Sequence, residues 1–122
     1  MSYIPLNRLD VYQISCKYGD ECWKIYENLP KAIQFHIGGQ MIDSVDSVGA
    51  NVAEGYGRYH FLDKIRFYYT ARGSLFESKH WLDALFKRQF ITKEKYQELM
   101  ILYKRIQISL NVLISSVYQS KK

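Results

Sequence analysis

Two short polar segments hold the side chains best suited to binding or reacting with another molecule. In the first, Asn51, Glu54 and Arg58 recur at steps of three and four, which places them on one face of a helix. The second segment is Ala71-Arg72-Gly73-Ser74-Leu75-Phe76-Glu77. Small residues such as Gly49 and Gly73 allow another backbone to approach closely. The segments form either a polar recognition surface or a network that fixes helix register, the turn or a subunit contact.

Patterns that would indicate catalysis or metal binding are absent or incomplete. Residues 77–80 form one Glu-x-x-His pair of the kind found in di-iron bundles, but the sequence has no second copy. His36, His60 and His80 lack zinc-ligand spacing with the two cysteines. Ser74 has no histidine at a spacing that predicts a catalytic triad. We therefore expect no enzyme activity, no catalytic residue, no metal site and no cofactor.

Basic residues are concentrated in the second half of the chain. Residues 1–57 hold four basic and seven acidic residues, whereas residues 58–122 hold 13 basic and five acidic residues. A basic half favours a polyanion such as RNA or DNA, although solvated helix faces account for the same pattern. An acidic half beside it also permits head-to-tail self-association. The candidate phosphate-binding residues are Arg58, Lys64, Arg66, Lys79, Lys87 and Arg88.

Aromatic residues accompany these bases. Tyr56, Tyr59, Phe67 and Trp81 are candidates to stack on unpaired bases of a nucleic acid. The sequence has no recognised RNA- or DNA-binding motif, so any such contact would be mainly electrostatic. Binding of this kind weakens steeply as salt is added.

The apolar residues predict four helices that position these side chains. Their approximate ranges are 9–28, 31–54, 61–89 and from Thr92 onward, where Thr92 is a good N-cap. Gly38 and Gly39 indicate either close helix approach or a kink. Gly55-Tyr56-Gly57 is expected to end the second helix through a glycine in the left-handed conformation. The predicted inner seam of the fourth helix is Tyr96, Leu99, Tyr103, Ile106, Leu110, Leu113 and Val117.

Short connections between long helices predict an all-α, antiparallel up-down-up-down four-helix bundle that forms a single domain over residues 1–122. Some apolar residues lie outside the inner stripes, and either an oligomer or scattered surface aromatics would account for them. These residues are Tyr69, Phe76, Trp81, Ile101, Leu102, Ile108 and Val112.

Several features favour a cytoplasmic protein. The first residues contain no apolar signal core, and no apolar run reaches the length that spans a bilayer. Cys16 and Cys22, six residues apart on one predicted helix, are expected to remain reduced rather than form a disulfide. No membrane association is expected.

The sequence Asn-Val-Ala-Glu-Gly-x-Gly-Arg, followed by Ala-Arg-Gly-Ser-Leu-x-Glu, resembles the 23S ribosomal RNA intervening-sequence proteins over nearly the whole chain. The opening Leu9-Asp10-Val11-Tyr12 is also similar to the start of that family. Unlike many members, this chain has no basic pair in the middle of the second helix. The residues that carry the family signature are Asn51, Glu54, Gly55, Arg58, Arg72, Gly73, Ser74 and Glu77.

The resemblance implies a four-helix bundle that assembles into a homopentameric ring. The chain is also similar to the accessory proteins of diversity-generating retroelements, which are basic, pentameric and bind nucleic acid. Three hypotheses follow for its function. The first is an oligomeric bundle associated with RNA or DNA through a basic face, and the second is an adaptor that binds another protein and no nucleic acid. The third, which the sequence favours least, is an enzyme built on a helical bundle.

Overall fold

The computed structural model describes residues 4–120, and within that range four antiparallel helices are joined by short connections. The helices are α1 (Asp10–Glu27), α2 (residues 31–56), α3 (Phe61–Lys87) and α4 (Lys93–Ser120). Helix α1 packs against α2 and α4, and α3 packs against the same two helices. The predicted all-α four-helix bundle is therefore confirmed, with α1 and α3 diagonally opposed.

One hydrophobic cluster fills the space between the four helices. It arises because each helix carries apolar residues at steps of three and four, so a single stripe faces inward. The fully buried large side chains are Tyr18, Met41, Val45, Val48, Val52, Tyr68, Leu75, Leu82, Leu85, Leu99, Ile106 and Leu110. Their burial provides the main driving force for folding.

The predicted seam of α4 is correct over most of its length but wrong near its end. Ile114 is buried, whereas Leu113 is only partly buried, and Leu102 belongs to the core although the sequence placed it outside the seam. The reason is geometric. A straight α-helix has 3.6 residues per turn, so its inner face drifts away from a strict seven-residue repeat.

Helix α2 contains a kink near its start. It comprises Lys31–Ile33, a π-helical turn at Gln34–Gly38 and the regular stretch Gly39–Tyr56, with His36 outside helical geometry at φ −124° and ψ −113°. A Cβ on Gly38 would lie 2.8 Å from the Ile33 carbonyl oxygen. The glycine pair therefore accompanies a kink, one of the two interpretations that the sequence left open.

The end of α2 differs from the sequence prediction. Gly55 lies within the helix, and Gly57, which follows the last helical residue, has φ −80° rather than a left-handed conformation. A Cβ on Gly55 would lie 2.7 Å from Cε1 of Tyr68 on α3. Gly55 is therefore needed for close packing of two helices. The left-handed residue in the described chain is Gln89, at φ 67°, in the connection after α3.

The connection to α4 ends as predicted. The backbone N–H of Lys95 donates to Oγ1 of Thr92 over 3.1 Å, which is the hydrogen bond expected of an N-cap threonine.

A polar contact crosses the centre of the bundle. The Ser78 hydroxyl on α3 donates to the Leu75 carbonyl oxygen over 2.6 Å, and its oxygen lies 2.7 Å from the Tyr18 hydroxyl on α1. Because serine has a single hydroxyl hydrogen, Tyr18 is the donor to Ser78. Burial raises the pKa of Tyr18, which keeps its hydroxyl protonated. The contact fixes the relative height of the two diagonal helices.

This contact predicts an asymmetry between two substitutions. Ser78→Ala leaves the Tyr18 hydroxyl buried without its acceptor and should lower the free energy of unfolding by about 1–3 kcal/mol. Tyr18→Phe should cost less, about 1 kcal/mol, because Ser78 keeps its bond to Leu75. The double variant should resemble Tyr18→Phe in urea denaturation. Additive losses in the double variant would contradict a direct bond between the two hydroxyls.

Alanine substitutions at Gly55 and Gly73 should change the free energy of unfolding in opposite directions. Gly55→Ala should destabilise the fold by about 1–3 kcal/mol because the buried Tyr68 ring cannot move away. Gly73 lies on the exposed side of α3, where an added Cβ would meet nothing within 4 Å. Gly73→Ala should therefore stabilise α3 by up to about 1 kcal/mol. Urea denaturation at one protein concentration measures both, and equal effects would refute the packing argument.

Candidate nucleic-acid interface

The corner between α2 and α3 holds two of the predicted phosphate-binding arginines. Arg58 forms an ion pair with Glu54, with 3.0 Å between Nη2 and Oε2, and its guanidinium lies 4.9 Å from the centre of the Phe67 ring. Arg66 lies 5.5 Å from the same ring and 4.0 Å from Asp63. Both arginines are therefore already placed beside an acid and an aromatic ring. Exposed pairs of this kind contribute little stability.

Asn51, the third polar residue of this segment, interacts with its own helix. Its amide nitrogen donates to the Ser47 carbonyl oxygen over 2.8 Å. Helical spacing puts Asn51, Glu54 and Arg58 on one face, but only Glu54 and Arg58 interact with each other among the described residues.

Lys64 has a role within the fold. Its ammonium group donates to the carbonyl oxygens of Gly55 and Tyr56 over 3.3 and 3.1 Å, at the end of α2. Desolvation lowers the pKa of Lys64, since burial disfavours the charged form. Carbonyl groups at a helix C-terminus attract cations. Lys64 therefore caps α2, and it is less available to a ligand than an exposed lysine.

The second segment connects α3 to α4. Arg72 donates to the Asn111 side-chain oxygen on α4 over 3.2 Å, and its guanidinium lies 4.8 Å from the centre of the Tyr69 ring. The hydroxyl of Tyr69 lies 3.1 Å from that of Tyr118 on α4. These contacts favour the interpretation that this segment fixes the packing of two helices.

The remaining residues of this segment lie further along α3. Glu77 accepts a hydrogen bond from Nε1 of Trp81 over 3.0 Å, and the His80 ring lies 4.7 Å from the Trp81 ring. Ser74 is partly buried and Gly73 is exposed. In the described part of the chain, no hydrogen bond or ion pair joins the three polar residues of the first segment to those of the second.

Residues 4–120 contain no group of three histidine, cysteine, aspartate or glutamate side chains placed to hold a metal ion. Both cysteines are free, with Cys16 exposed and Cys22 buried. Over the same residues, every helix is too short or too polar to traverse a lipid bilayer.

Lys79 belongs to a partly buried cluster between α3 and α4. Its ammonium group lies 2.9 Å from Oδ2 of Asp83, and the Tyr96 hydroxyl donates to the other carboxylate oxygen. Burial raises the pKa of Asp83, but hydrogen bonds from Tyr96 and Lys79 outweigh it and hold the pKa below its ordinary value. The hydrogen bond to Asp83 raises the pKa of Lys79. Lys79 is therefore engaged in helix packing.

Lys87 and Arg88 differ from the other four predicted phosphate-binding residues. Both are exposed at the end of α3, and neither forms an ion pair within residues 4–120. They lie at the opposite end of α3 from Lys64, roughly 35 Å away at the rise of an α-helix. The six residues therefore do not form one patch.

Lys31, Phe35 and Lys93 lie at the same end as Lys87 and Arg88, and sequence analysis did not select them. Phe35 is 85% exposed on the π-helical turn, and both lysines are exposed at helix starts. One signal was available in the sequence, because Phe35 lies outside the inner stripe and close to the glycine pair. Their placement at one end depends on how the four helices pack.

The aromatic residues proposed for stacking are unequally exposed. Tyr59 is 85% exposed. Phe67 is partly buried beneath two arginines, and Trp81 is partly buried and bonded to Glu77. The Tyr56 hydroxyl donates to the Ile4 carbonyl oxygen, and Lys64 lies 5.7 Å from the centre of its ring. Only Tyr59 of this set presents most of its ring to solvent.

Comparison with known proteins identifies the family. The model for the 23S rRNA-intervening sequence protein family matches residues 7–112. No curated protein matches the chain. Among solved structures, a protein of unknown function from the S23 ribosomal protein family of Bacteroides thetaiotaomicron superposes with a TM-score of 0.80. It is 24% identical over 86% of this chain and 95% of its own, which shows a shared fold. Since the family model covers most of the sequence, the chain belongs to the 23S rRNA-intervening sequence proteins.

Proposed function

We propose that the protein is a non-enzymatic, oligomeric four-helix bundle that associates with RNA through a basic surface. The observation that carries this proposal is the separation of charge in space. Helices α3 and α4 contain most of the basic residues and pack side by side, while the more acidic α1 and α2 form the opposite side of the bundle. A side with an excess of positive charge attracts a polyanion.

Membership of the family supports RNA, rather than DNA, as the polyanion that is bound. Its name associates its members with 23S rRNA, although a name gives no biochemical activity. Together with the basic α3–α4 side, it supports RNA as the ligand rather than DNA. We propose that the protein acts in the cytoplasm, where RNA is available and free cysteines stay reduced.

Exposed apolar residues support self-association. Ile101, Ile108 and Val112 are 63%, 59% and 63% exposed, and they share one face of α4. Phe76 on α3 is 49% exposed. An apolar helix face in water favours a partner. We propose a homopentamer, the assembly that the sequence resemblance to this family implies.

The same apolar face supports the alternative function. In that case α4 binds a different protein, the chain is an adaptor, and the basic residues serve only solubility. RNA binding separates the two functions because an adaptor has no affinity for it.

The RNA proposal predicts salt-dependent binding. The protein should bind a fluorescein-labelled RNA at physiological ionic strength, and the affinity should fall steeply between 50 and about 200 mM salt in fluorescence anisotropy. Arg66→Glu with Arg88→Glu, which reverses two charges on the basic side, should weaken binding at least tenfold. The control, Arg8→Glu with Lys17→Glu, makes the same charge change on the acidic side and should have a smaller effect. Absence of wild-type binding would favour the adaptor.

The oligomer proposal predicts that Ile108→Glu dissociates the assembly. Ile108 is 59% exposed, so the substitution should leave the fold of the single chain intact. Multi-angle light scattering should show the wild type well above 14.5 kDa and the variant close to that mass. Gln40→Glu adds the same charge at an exposed position of α2 and should not dissociate the protein. A wild-type monomer at micromolar concentration would refute the proposal.

A further inference from the structure

We propose that one end of the bundle is the binding surface for single-stranded RNA. This basic end comprises Lys31, Phe35, Lys87, Arg88 and Lys93. The four basic residues contact phosphates, and Phe35 stacks on an unpaired base. The inference rests on the proposed function for the identity of the ligand, and it adds the location and the strandedness of the RNA.

The fold brings these residues to the same end. The connections at residues 28–30 and 88–92 meet there. Asn28, Leu29 and residues 90–92 line a groove of about 290 Å³ together with Lys24, Ile25 and Lys95. Helix α2 starts with Lys31, α3 ends with Lys87 and α4 starts with Lys93. The π-helical turn that carries Phe35 packs against α3. Four basic groups from three helices and a connection therefore surround one end of the core.

The basic groups at this end are free of intramolecular ion pairs. None of Lys31, Lys87, Arg88 and Lys93 has an acidic partner within 4.0 Å in residues 4–120. The nearby bases Lys24 and Lys95 differ, because both bind Glu21. Hydrogen bonds from Lys95 and Lys24 hold the pKa of Glu21 at about 2. Charge that no internal acid neutralises is available to phosphate groups.

Acidic residues offset only part of this charge. Glu27 and Glu94 also lie near this end without an ion-pair partner among the described residues, so the unpaired basic groups outnumber the unpaired acids by four to two. At the opposite end, by contrast, Arg58 is paired with Glu54 and Arg66 lies beside Asp63. Arg58 and Arg66 are therefore less available to phosphate groups than the four bases of the basic end.

Phe35 supplies the feature that distinguishes single strands from duplexes. Its ring is 85% exposed on a turn that departs from α-helical geometry, and π-helical turns occur frequently at functional sites. Aromatic rings stack on unpaired bases of any sequence. In duplex RNA the bases are already stacked and paired, and the deep major groove excludes side chains. A ring at the same end of the bundle as unpaired cations therefore suits an unpaired segment better than a double helix.

The experiment compares Phe35→Ala with Tyr59→Ala, since both rings are 85% exposed but lie at opposite ends of the bundle. Fluorescence anisotropy measures binding of the full chain to a labelled 12-nucleotide single-stranded RNA and to a 12-base-pair RNA duplex. Phe35→Ala should weaken binding to the single strand roughly tenfold and leave duplex binding unchanged. Tyr59→Ala should change neither. Phe35→Trp should retain binding and Phe35→Leu should lose it, which separates stacking from apolar bulk.

The charges are tested with a second matched pair. Lys87→Gln with Arg88→Gln should weaken binding and reduce the slope of log affinity against log salt by about 1.4, or roughly 0.7 per lost phosphate contact. Arg58→Gln with Arg66→Gln, at the other end, should reduce the slope by less, because these arginines already lie beside Glu54 and Asp63. Thermal melting followed by circular dichroism should show that each variant folds, because the substituted positions are exposed.

The outcomes distinguish this inference from the proposed function. If the wild type binds RNA but the Phe35 and Lys87/Arg88 variants bind it equally well, the inference is wrong and the proposed function stands. The same holds if Tyr59→Ala is the variant that loses binding, or if the RNA duplex binds more tightly than the single-stranded RNA. If the wild type binds no RNA, both proposals are wrong.

Discussion

Helix register in this bundle depends on a hydrogen bond between two helices that are not neighbours. The Tyr18 hydroxyl on α1 donates a hydrogen bond to Ser78 on α3 across the centre of the core. The Ser78 hydroxyl in turn donates a hydrogen bond to the Leu75 carbonyl oxygen. Apolar side chains alone leave the axial position of a helix weakly specified, because hydrophobic burial has no direction. A buried hydroxyl without a partner is costly, so sliding α1 along α3 is opposed. In residues 4–120, no buried polar side-chain atom lacks a partner.

The fixed register determines which charges reach a ligand. In a set register, Lys64 meets the carbonyl groups at the end of α2, and Lys95 on α4 meets Glu21 on α1. Lys79 is held by Asp83 and Tyr96 between α3 and α4. These three lysines are therefore engaged in contacts within the fold. The bases of the basic end, at the end of α3 and the starts of α2 and α4, have no such partner. The packing of the core therefore leaves one end of the bundle with available positive charge.

The sequence predicted the helices and their inner faces because helical periodicity is a local signal. Pairs four residues apart, such as Glu54 with Arg58 and Lys79 with Asp83, are also predictable from spacing, and they engage two of the predicted phosphate-binding bases. Other features required the packed structure. Gly55 was interpreted as a helix stop, although its small size matters because of Tyr68, thirteen residues away. Lys31 and Lys87 are distant in sequence, and only packing brings them to one end.

The kink in α2 connects the local sequence to the surface. Gly38 and Gly39 weaken a helix by roughly 1 kcal/mol each relative to alanine, so some gain must offset their presence. Part of the reason is steric, because a Cβ at Gly38 would meet both the Ile33 carbonyl oxygen and a methyl group of Leu29 at 2.8 Å. The π-helical turn lets Ile37 enter the core while Phe35 and His36 stay in solvent. Packing explains Ile37 and the glycines, but it does not account for a phenylalanine at the exposed position. A polar residue would serve the fold there equally well, and this is why Phe35 points to a function outside the core.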